Sequence, residues 1–271
     1  SLKIQKCLLP VAGKPVLEHI IDKLINIGID EVILVVGHLS EQVKSFSLKY
    51  KKIKLTCIDQ KERLGLGHAI YQAIDLTNDP ILILLGDSVL ELDYNNIIEN
   101  KYSTIGVAPV PDPERFGIVE IDDNNNILNF WEKPKNPPSN MAISGIYYIN
   151  SQFELVEAID KLIINNVKTN NEYQLTDAFK IMLKNNHKFK AVKVDNCLDC
   201  GLPKTLLSTN KYLLQNYDDN AIDPSAKIVN SKLTNCTISM NCTVINSNLN
   251  NIIMLSGSSI INKNIKNAII D

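Results

Sequence analysis

The sequence predicts an α/β fold in which strands alternate with helices, followed by a small stack of parallel β-structure. Three observations carry this expectation. Between residues 16 and 85, short apolar runs alternate with segments of helical periodicity; between 104 and 149, consecutive strand-like runs replace the helices; and after Asp218-Asp219 the composition shifts to Asn, Ser, Thr and Ile in short repeats. Strand, helix, strand at the first set of intervals means right-handed crossovers and parallel pairing. The compositional shift divides the chain into residues 1–217 and 218–271.

The elements follow in order. Val16, Leu17, Ile20, Ile21, Leu24 and Ile27 recur at helical spacing, with Pro15 suited to the first turn and Gly28 to the stop. Glu31 to Val36 is an unbroken apolar run before Gly37, the type of strand buried on both faces of a parallel sheet. A helix begins over Ser40 to Phe46, and Ile53 to Ile58 reads as the next strand. His68 to Leu76 is helical and Ile81 to Leu85 is again a buried strand. Thr104 to Val110, Gly117 to Ile121 and Ile127 to Trp131 alternate as strands, with a hairpin-like turn at Asp122-Asp123-Asn124-Asn125-Asn126. Pro137-Pro138-Ser139-Asn140 leads into a strand from Ala142 to Ile149. Helices return at Phe153 to Ile164 and Thr176 to Asn185, followed by a strand at Lys190 to Val194 and a helix from Pro203 to Gln215.

In the C-terminal segment, Asn-Ser/Cys-x-Leu/Ile/Val recurs from Asn230, Asn235, Asn241 and Asn246, at spacings of five, six and five residues. Short repeats that each turn one aliphatic inward are the signature of a parallel β-helix. A disordered polar tail is the other reading, but it would not keep aliphatics in step through Ile253, Ile260, Ile265 and Ile269. About fifty residues make about three coils, so the stack needs a partner surface or further residues to cap it. A homo-oligomer is expected.

Composition narrows the function classes. At 271 residues, 45% apolar and 21% charged, the chain has material for a core, and no apolar run approaches bilayer length. A net charge of -2, without a basic run or an aromatic-interleaved patch, argues against a nucleic-acid surface. Six cysteines without framework spacing, and no signal peptide in the chain, read as reduced thiols of a cytoplasmic protein. Cys197, Cys200, Cys236 and Cys242 could be imagined as zinc ligands, but the second pair is too widely spaced for a tight knuckle. No GxGxxG follows a strand, which disfavours a dinucleotide-dependent dehydrogenase.

The chemistry begins at Leu84-Leu85-Gly86-Asp87, an apolar strand ending on a glycine and a carboxylate. Locally this is an ordinary turn, yet an open α/β sheet places ligands beyond the carboxyl ends of its strands. Other segments shift the balance: Gln5-Lys6-Cys7-Leu8-Leu9-Pro10-Val11-Ala12-Gly13-Lys14-Pro15, Gln60 followed by Gly65-Leu66-Gly67-His68-Ala69, Phe116-Gly117-Ile118-Val119, Glu132-Lys133-Pro134 and Leu198-Asp199-Cys200-Gly201. In this order, over residues 3 to about 215, they resemble the sugar-1-phosphate nucleotidyltransferases, and among them the glucose-1-phosphate thymidylyltransferase group. The resemblance implies a Rossmann-like (GT-A-like) mixed sheet flanked by helices, and adds weight to a left-handed β-helix, which long-form relatives carry.

It also implies a reaction: glucose-1-phosphate and dTTP, or UTP as the nearest alternative, give a nucleotide sugar and pyrophosphate. Bringing two polyanions together needs cations and backbone donors rather than a covalent nucleophile. By the resemblance, Asp87 and Asp199 hold magnesium and Lys6 steadies the phosphates. Gln60 and Gly65 match positions that read the base; an amide offers the donor and acceptor that an imide edge requires. Glu132 holds sugar hydroxyls, Lys133 pairs with the sugar phosphate, and Gly117, Ile143 and Gly145 give backbone contacts. Lys14 and His68 read as structural, and Thr176 as a helix cap with Asp177 in the first turn. Asn170 stands where many relatives carry an arginine. The family's glycine-rich, arginine-bearing loop belongs just upstream of Lys6 and is absent from this sequence, as is the first strand, so the natural chain is expected to begin earlier. A different class of answer is a catalytically silent regulatory or scaffolding subunit that uses the β-helix for assembly.

Overall fold

A computed structural model of the chain describes residues 4–74, 77, 79–215 and 219–271. A 3-10 turn at Lys6–Leu8 precedes two short strands, β1 (Pro10–Val11) and β2 (Lys14–Pro15), and helix α1 (Val16–Asn26). Then come β3 (Glu31–Val36), α2 (Ser40–Lys49), β4 (Lys54–Asp59), α3 (Leu66–Ala73), β5 (Ile81–Leu84), β6 (Ser88–Glu91) and α4 (Asn95–Ile98). The middle contains β7 (Ser103–Pro109), β8 (Gly117–Ile121), β9 (Ile127–Glu132) and β10 (Met141–Ile149), followed by α5 (Gln152–Ile164), α6 (Leu175–Lys184), β11 (Phe189–Lys193), β12 (Asn196–Asp199) and α7 (Pro203–Leu214). The C-terminal strands are β13 (Asn220–Ile222), β14 (Lys227–Val229), β15 (Lys232–Ile238), β16 (Thr243–Ile245), β17 (Asn248–Met254), β18 (Ser259–Ile261) and β19 (Asn264–Ile270). The predicted end of the third helix at Leu76 and the boundary between residues 217 and 218 lie outside the described residues.

The chain forms two compact units, one of residues 1–26, 86–89 and 198–271, the other of 27–85 and 90–197. In the second, a mixed sheet runs β11-β7-β10-β8-β9, with β5 also on β10. β7 and β11 are parallel, whereas β10 is antiparallel to β5, β7 and β8. The parallel pairing predicted from residues 16–85 therefore holds for β3 and β4 but not for β5. Because Gly145 takes a left-handed φ of +83°, β10 shifts register against β7 between Ile143 and Tyr147. Phe130 of β9, Phe179 of α6 and Phe189 of β11 form the centre of the core, each pair of rings 5.2 Å apart. The unbroken apolar run of β3 predicts burial on both faces, yet Ile33 is 40% exposed. Among the described residues β4 is its one ladder partner, which leaves part of that surface uncovered.

In the first unit, β13-β15-β17-β19 and β14-β16-β18 form two all-parallel sheets. Hydrogen-bonded neighbours stand 16 residues apart, as between Asn246 and Asn262 or Asn251 and Asn267, whose side-chain amides form ladders. Every asparagine that begins a repeat in the sequence sits at a corner in the left-handed region, with φ of 46° at Asn230, 53° at Asn235, 56° at Asn241 and 48° at Asn246. Asparagine is one of the few residues that adopts this conformation cheaply. Cys236, Ile238, Cys242, Val244, Leu249, Ile252, Met254 and Ile260 fill the interior, with Ile265 partly buried against them. Ile253 and Ile269 are in step as predicted but share a register row with Thr237, which bonds to Asn210 of α7. They stand outside the interior cluster because the alternation of side chains along a strand sends them to the opposite face. These sheets are compatible with a β-helix.

Candidate functional site

In the first unit, the chain leaves Leu85 and turns through Gly86 to Asp87, whose carbonyl accepts from the Cys200 amide at 2.8 Å. This bond brings the end of β12 beside Asp87. A Cβ built at Gly201 would lie 3.0 Å from Asp199 Oδ1 and 3.5 Å from Asp87 Oδ2, so both carboxylates flank this glycine. The Gly201 amide donates to Asp199 Oδ1 at 2.7 Å, and its carbonyl accepts from Lys6 Nζ at 2.9 Å. Burial first, and then the charge of Asp199, push the Asp87 carboxyl above the ordinary carboxylate range, while Lys6 opposes them. Cys7 lies beside Gly86, and burial aided by Asp87 pushes its thiol up to about 11, so it offers no thiolate at neutral pH.

Two carboxylates that flank one glycine suit a small hard divalent cation. Magnesium typically takes one or two carboxylates and leaves its other positions to water and phosphate oxygens. Among the described residues no three or more His, Cys, Asp or Glu side chains are grouped so that they could hold a metal. Cys236 and Cys242 are instead buried in the C-terminal interior. Lys14 pairs with Asp22 at 2.7 Å, in keeping with a structural role.

In the second unit, Gly117 at the start of β8 stands opposite Glu132 at the end of β9. A Cβ on Gly117 would meet the Thr176 methyl at 3.1 Å, Ile143 Cδ1 at 3.2 Å and Glu132 Oε2 at 3.4 Å. The structure thus brings Gly117, Glu132 and Ile143 together, and adds Thr176, whose hydroxyl donates to Glu132 Oε2 at 2.9 Å. Lys133 adopts φ +42° with its amide bonded to the Phe116 carbonyl, and its Nζ lies 3.6 Å from Glu132 Oε1. Gly145 has other neighbours: its carbonyl accepts from the Leu85 amide, and the Leu85 side chain closes over its Cα. Asn170 takes left-handed φ in a tight turn bracketed by Thr169 and Glu172.

Thr176 does not cap α6 as the sequence predicts, because the helix starts at Leu175 with Gln174 as N-cap. Its bond to Glu132 spans 44 residues of sequence, so no local spacing could have exposed it. Asp177 does lie in the first turn, where it pairs with Lys180 at 2.9 Å and accepts from Thr169 Oγ1 at 2.7 Å.

Gln60 follows β4, and its Nε2 reaches the Gly65 carbonyl at 3.1 Å and His68 Nδ1 at 3.4 Å. With the amide nitrogen so directed, the amide oxygen is the atom able to accept from a base. Gly65 adopts φ +107°, and a Cβ there would come within 2.7 Å of Glu172 Cβ and 2.8 Å of the Tyr173 carbonyl. Gly67 donates to that same carbonyl, and the Tyr173 amide donates to Leu64, so the glycine loop lies directly on the 172–174 backbone. His68 sits between Gln60 and Gln72, a local packing role.

The mixed α/β sheet has the fold of a nucleotidyltransferase. The family model for nucleotidyl transferases matches residues 1–216, and the chain belongs to that family. It is 37% identical over 211 residues to the bifunctional protein GlmU of Methanocaldococcus jannaschii, covering 77% of this chain and 49% of that protein. It is 33% identical to the bifunctional sugar-1-phosphate nucleotidylyltransferase/acetyltransferase of Sulfurisphaera tokodaii, covering 78% of this chain and 51% of the relative. The chain spans about half the length of these curated relatives. A Bacillus anthracis structure with sucrose bound, provisionally named a glucose-1-phosphate thymidylyltransferase, superposes with a TM-score of 0.65 at 25% identity, covering 79% of this chain and 87% of that one. The resemblance read from the motifs holds at the level of the family.

Proposed function

We propose that the protein is a magnesium-dependent sugar-1-phosphate nucleotidyltransferase that joins glucose-1-phosphate to dTTP and releases pyrophosphate. The observation that carries this reading is the convergence of Asp87, Asp199 and Lys6 on Gly201. A phosphate oxygen of the sugar phosphate attacks the α-phosphorus, a new P–O bond forms, and the bond from the α-phosphorus to the bridging oxygen breaks as pyrophosphate leaves. Two anions must approach, so positive charge at the phosphates is the first requirement. Lys6 supplies a compact, rotatable ammonium that can exchange the Gly201 carbonyl for a phosphate oxygen. Asp87 and Asp199 would hold magnesium, which when bound neutralises charge on the transferring phosphate.

Recognition falls to the second unit. Gln60 and the Gly65 backbone read the imide edge of a pyrimidine, while Glu132 accepts hydrogen bonds from sugar hydroxyls and Lys133 pairs with the sugar phosphate. Gly117 and Ile143 shape the space beside Glu132, and Gly145 adds a backbone contact. Uracil and thymine share the edge presented to Gln60, so UTP is the alternative donor. We take the C-terminal sheets to form a left-handed β-helix that assembles the protein as a cytoplasmic homo-oligomer.

The test is pyrophosphate release by the full-length protein with magnesium and glucose-1-phosphate, across dTTP, UTP, ATP, CTP and GTP. Release with dTTP is the expected result. Release with UTP alone moves the base assignment to uracil, and silence with all five on every sugar phosphate tried would favour the non-catalytic scaffold.

A further inference from the structure

We propose that Thr176 is a positioning residue that fixes the carboxylate of Glu132 for sugar-phosphate binding. The inference deepens the reading of Glu132 as a sugar ligand and rests on it. Glu132 is the last residue of β9, where a side chain would ordinarily be free to sample several rotamers. Here its side chain is only 9% exposed, and Thr176 Oγ1 donates to Oε2 at 2.9 Å from the first turn of α6. Thr176 is itself 6% exposed, and α6 is anchored by Ala178, Phe179 and Met182 in the aromatic core, so the donor sits on a rigid element. The other oxygen, Oε1, faces Lys133 Nζ at 3.6 Å.

One oxygen is therefore tied to a fixed hydroxyl and the other turned toward a half-exposed ammonium. The plane of the carboxylate is set before any ligand arrives, and the remaining lone pairs point in defined directions. A hydroxyl donating to a carboxylate is a charge-assisted bond, stronger than a neutral one. The Thr176 methyl has a second use, since with Ile143 it bounds the space that the missing side chain of Gly117 leaves beside Oε2.

The experiment compares Thr176→Val, which keeps the shape and removes the donor, with Thr176→Ser, which keeps the donor, and with Glu132→Gln, all in the full-length protein. Steady-state pyrophosphate release gives kcat and the KM of each substrate, and thermal melts report folding. Thr176→Val is expected to raise the KM for glucose-1-phosphate about tenfold, with kcat and the dTTP KM changed by less than about twofold. Thr176→Ser should return the sugar-phosphate KM to within about threefold of the parent. If Glu132→Gln raises that KM and Thr176→Val leaves it alone, the positioning role is overturned while the sugar role of Glu132 stands. If neither variant moves it, the sugar role itself fails. A Thr176→Val protein that melts early, raises both KM values together and is not rescued by serine would show a purely structural threonine and overturn the proposal.

Discussion

Asp87 illustrates how a site residue can cost stability. Its carboxyl is raised above the usual range by burial and by Asp199, so the ionised form costs more in the folded protein than in the unfolded chain, which would solvate it freely. Between its ordinary value and the raised one, the folded state binds more protons than the unfolded state, so this contribution to stability falls as pH rises through that window. Asp87→Asn keeps the volume and removes the penalty. Without magnesium, the variant should melt at a higher temperature than the parent at pH 7, and the gap should narrow as the pH falls through that window and the carboxyl takes up its proton in both states. On the magnesium-holding role proposed for Asp87, the same variant should lose at least about a hundredfold in turnover. Lower stability with full turnover would remove Asp87 from the metal assignment. Gly117 makes the complementary case: alanine there places a carbon 3.4 Å from Glu132 Oε2 and 3.1 Å from the Thr176 methyl. Gly117→Ala should raise the sugar-phosphate KM about tenfold while leaving the dTTP KM in place, by displacing a carboxylate that its neighbours hold.

At the scale of elements, the asparagine corners show why the repeats could be read so directly. Each 16-residue repeat must turn sharply at single residues, the left-handed conformation does this, and the residues that tolerate it announce themselves in the sequence. Asn241 at φ 56° and Gly257 at φ 81° lie one 16-residue period apart and occupy equivalent corners. Asn241→Gly should therefore be close to neutral, whereas Asn241→Val should cost about 1–2 kcal/mol in a denaturant titration, because a β-branched residue pays in full for the left-handed region. Equal effects of the two would mean that the corner conformation is not what asparagine is there to provide. The central helices and strands were legible for a similar reason, since helical period and apolar runs are local properties. What escaped was non-local. The antiparallel partner of β5 lies more than sixty residues downstream in β10, and the bond from Thr176 to Glu132 depends on two elements meeting in space. The Gly86-Asp87 and Asp199-Cys200-Gly201 turns look ordinary on their own; the resemblance pairs their aspartates, and in the structure β12 pairs with β6 and the Cys200 amide bonds to the Asp87 carbonyl.

For the molecule as a whole, the compositional break near residue 218 suggests an appendage, yet the contacts of the first unit tell against simple detachment. α7 packs on β15, β17 and β19. Asn210, fully buried on α7, accepts from the Ala12 amide at 2.9 Å and from Thr237 Oγ1 at 2.6 Å, joining the N-terminal segment, the helix and the C-terminal strands in one polar knot. Ile253 is wholly buried beside Thr237 in the register row that runs from Ala221. Removing residues 219–271 would expose the apolar side of α7, at about 25 cal/mol for each Å² of apolar surface bared, and strip Asn210 of two of its partners, Thr237 and Asn235. The same α7 begins two residues after Gly201, the glycine on which Asp87, Asp199 and Lys6 converge. The truncated chain should therefore melt at least about 10 °C below the parent and lose turnover with it, rather than behave as an intact catalytic domain relieved of a passenger. Calorimetry of the two forms decides the matter: an unchanged melting temperature with undiminished pyrophosphate release would make the stacked strands an independent domain, and the compact unit that unites them with the aspartate pair would have no energetic meaning.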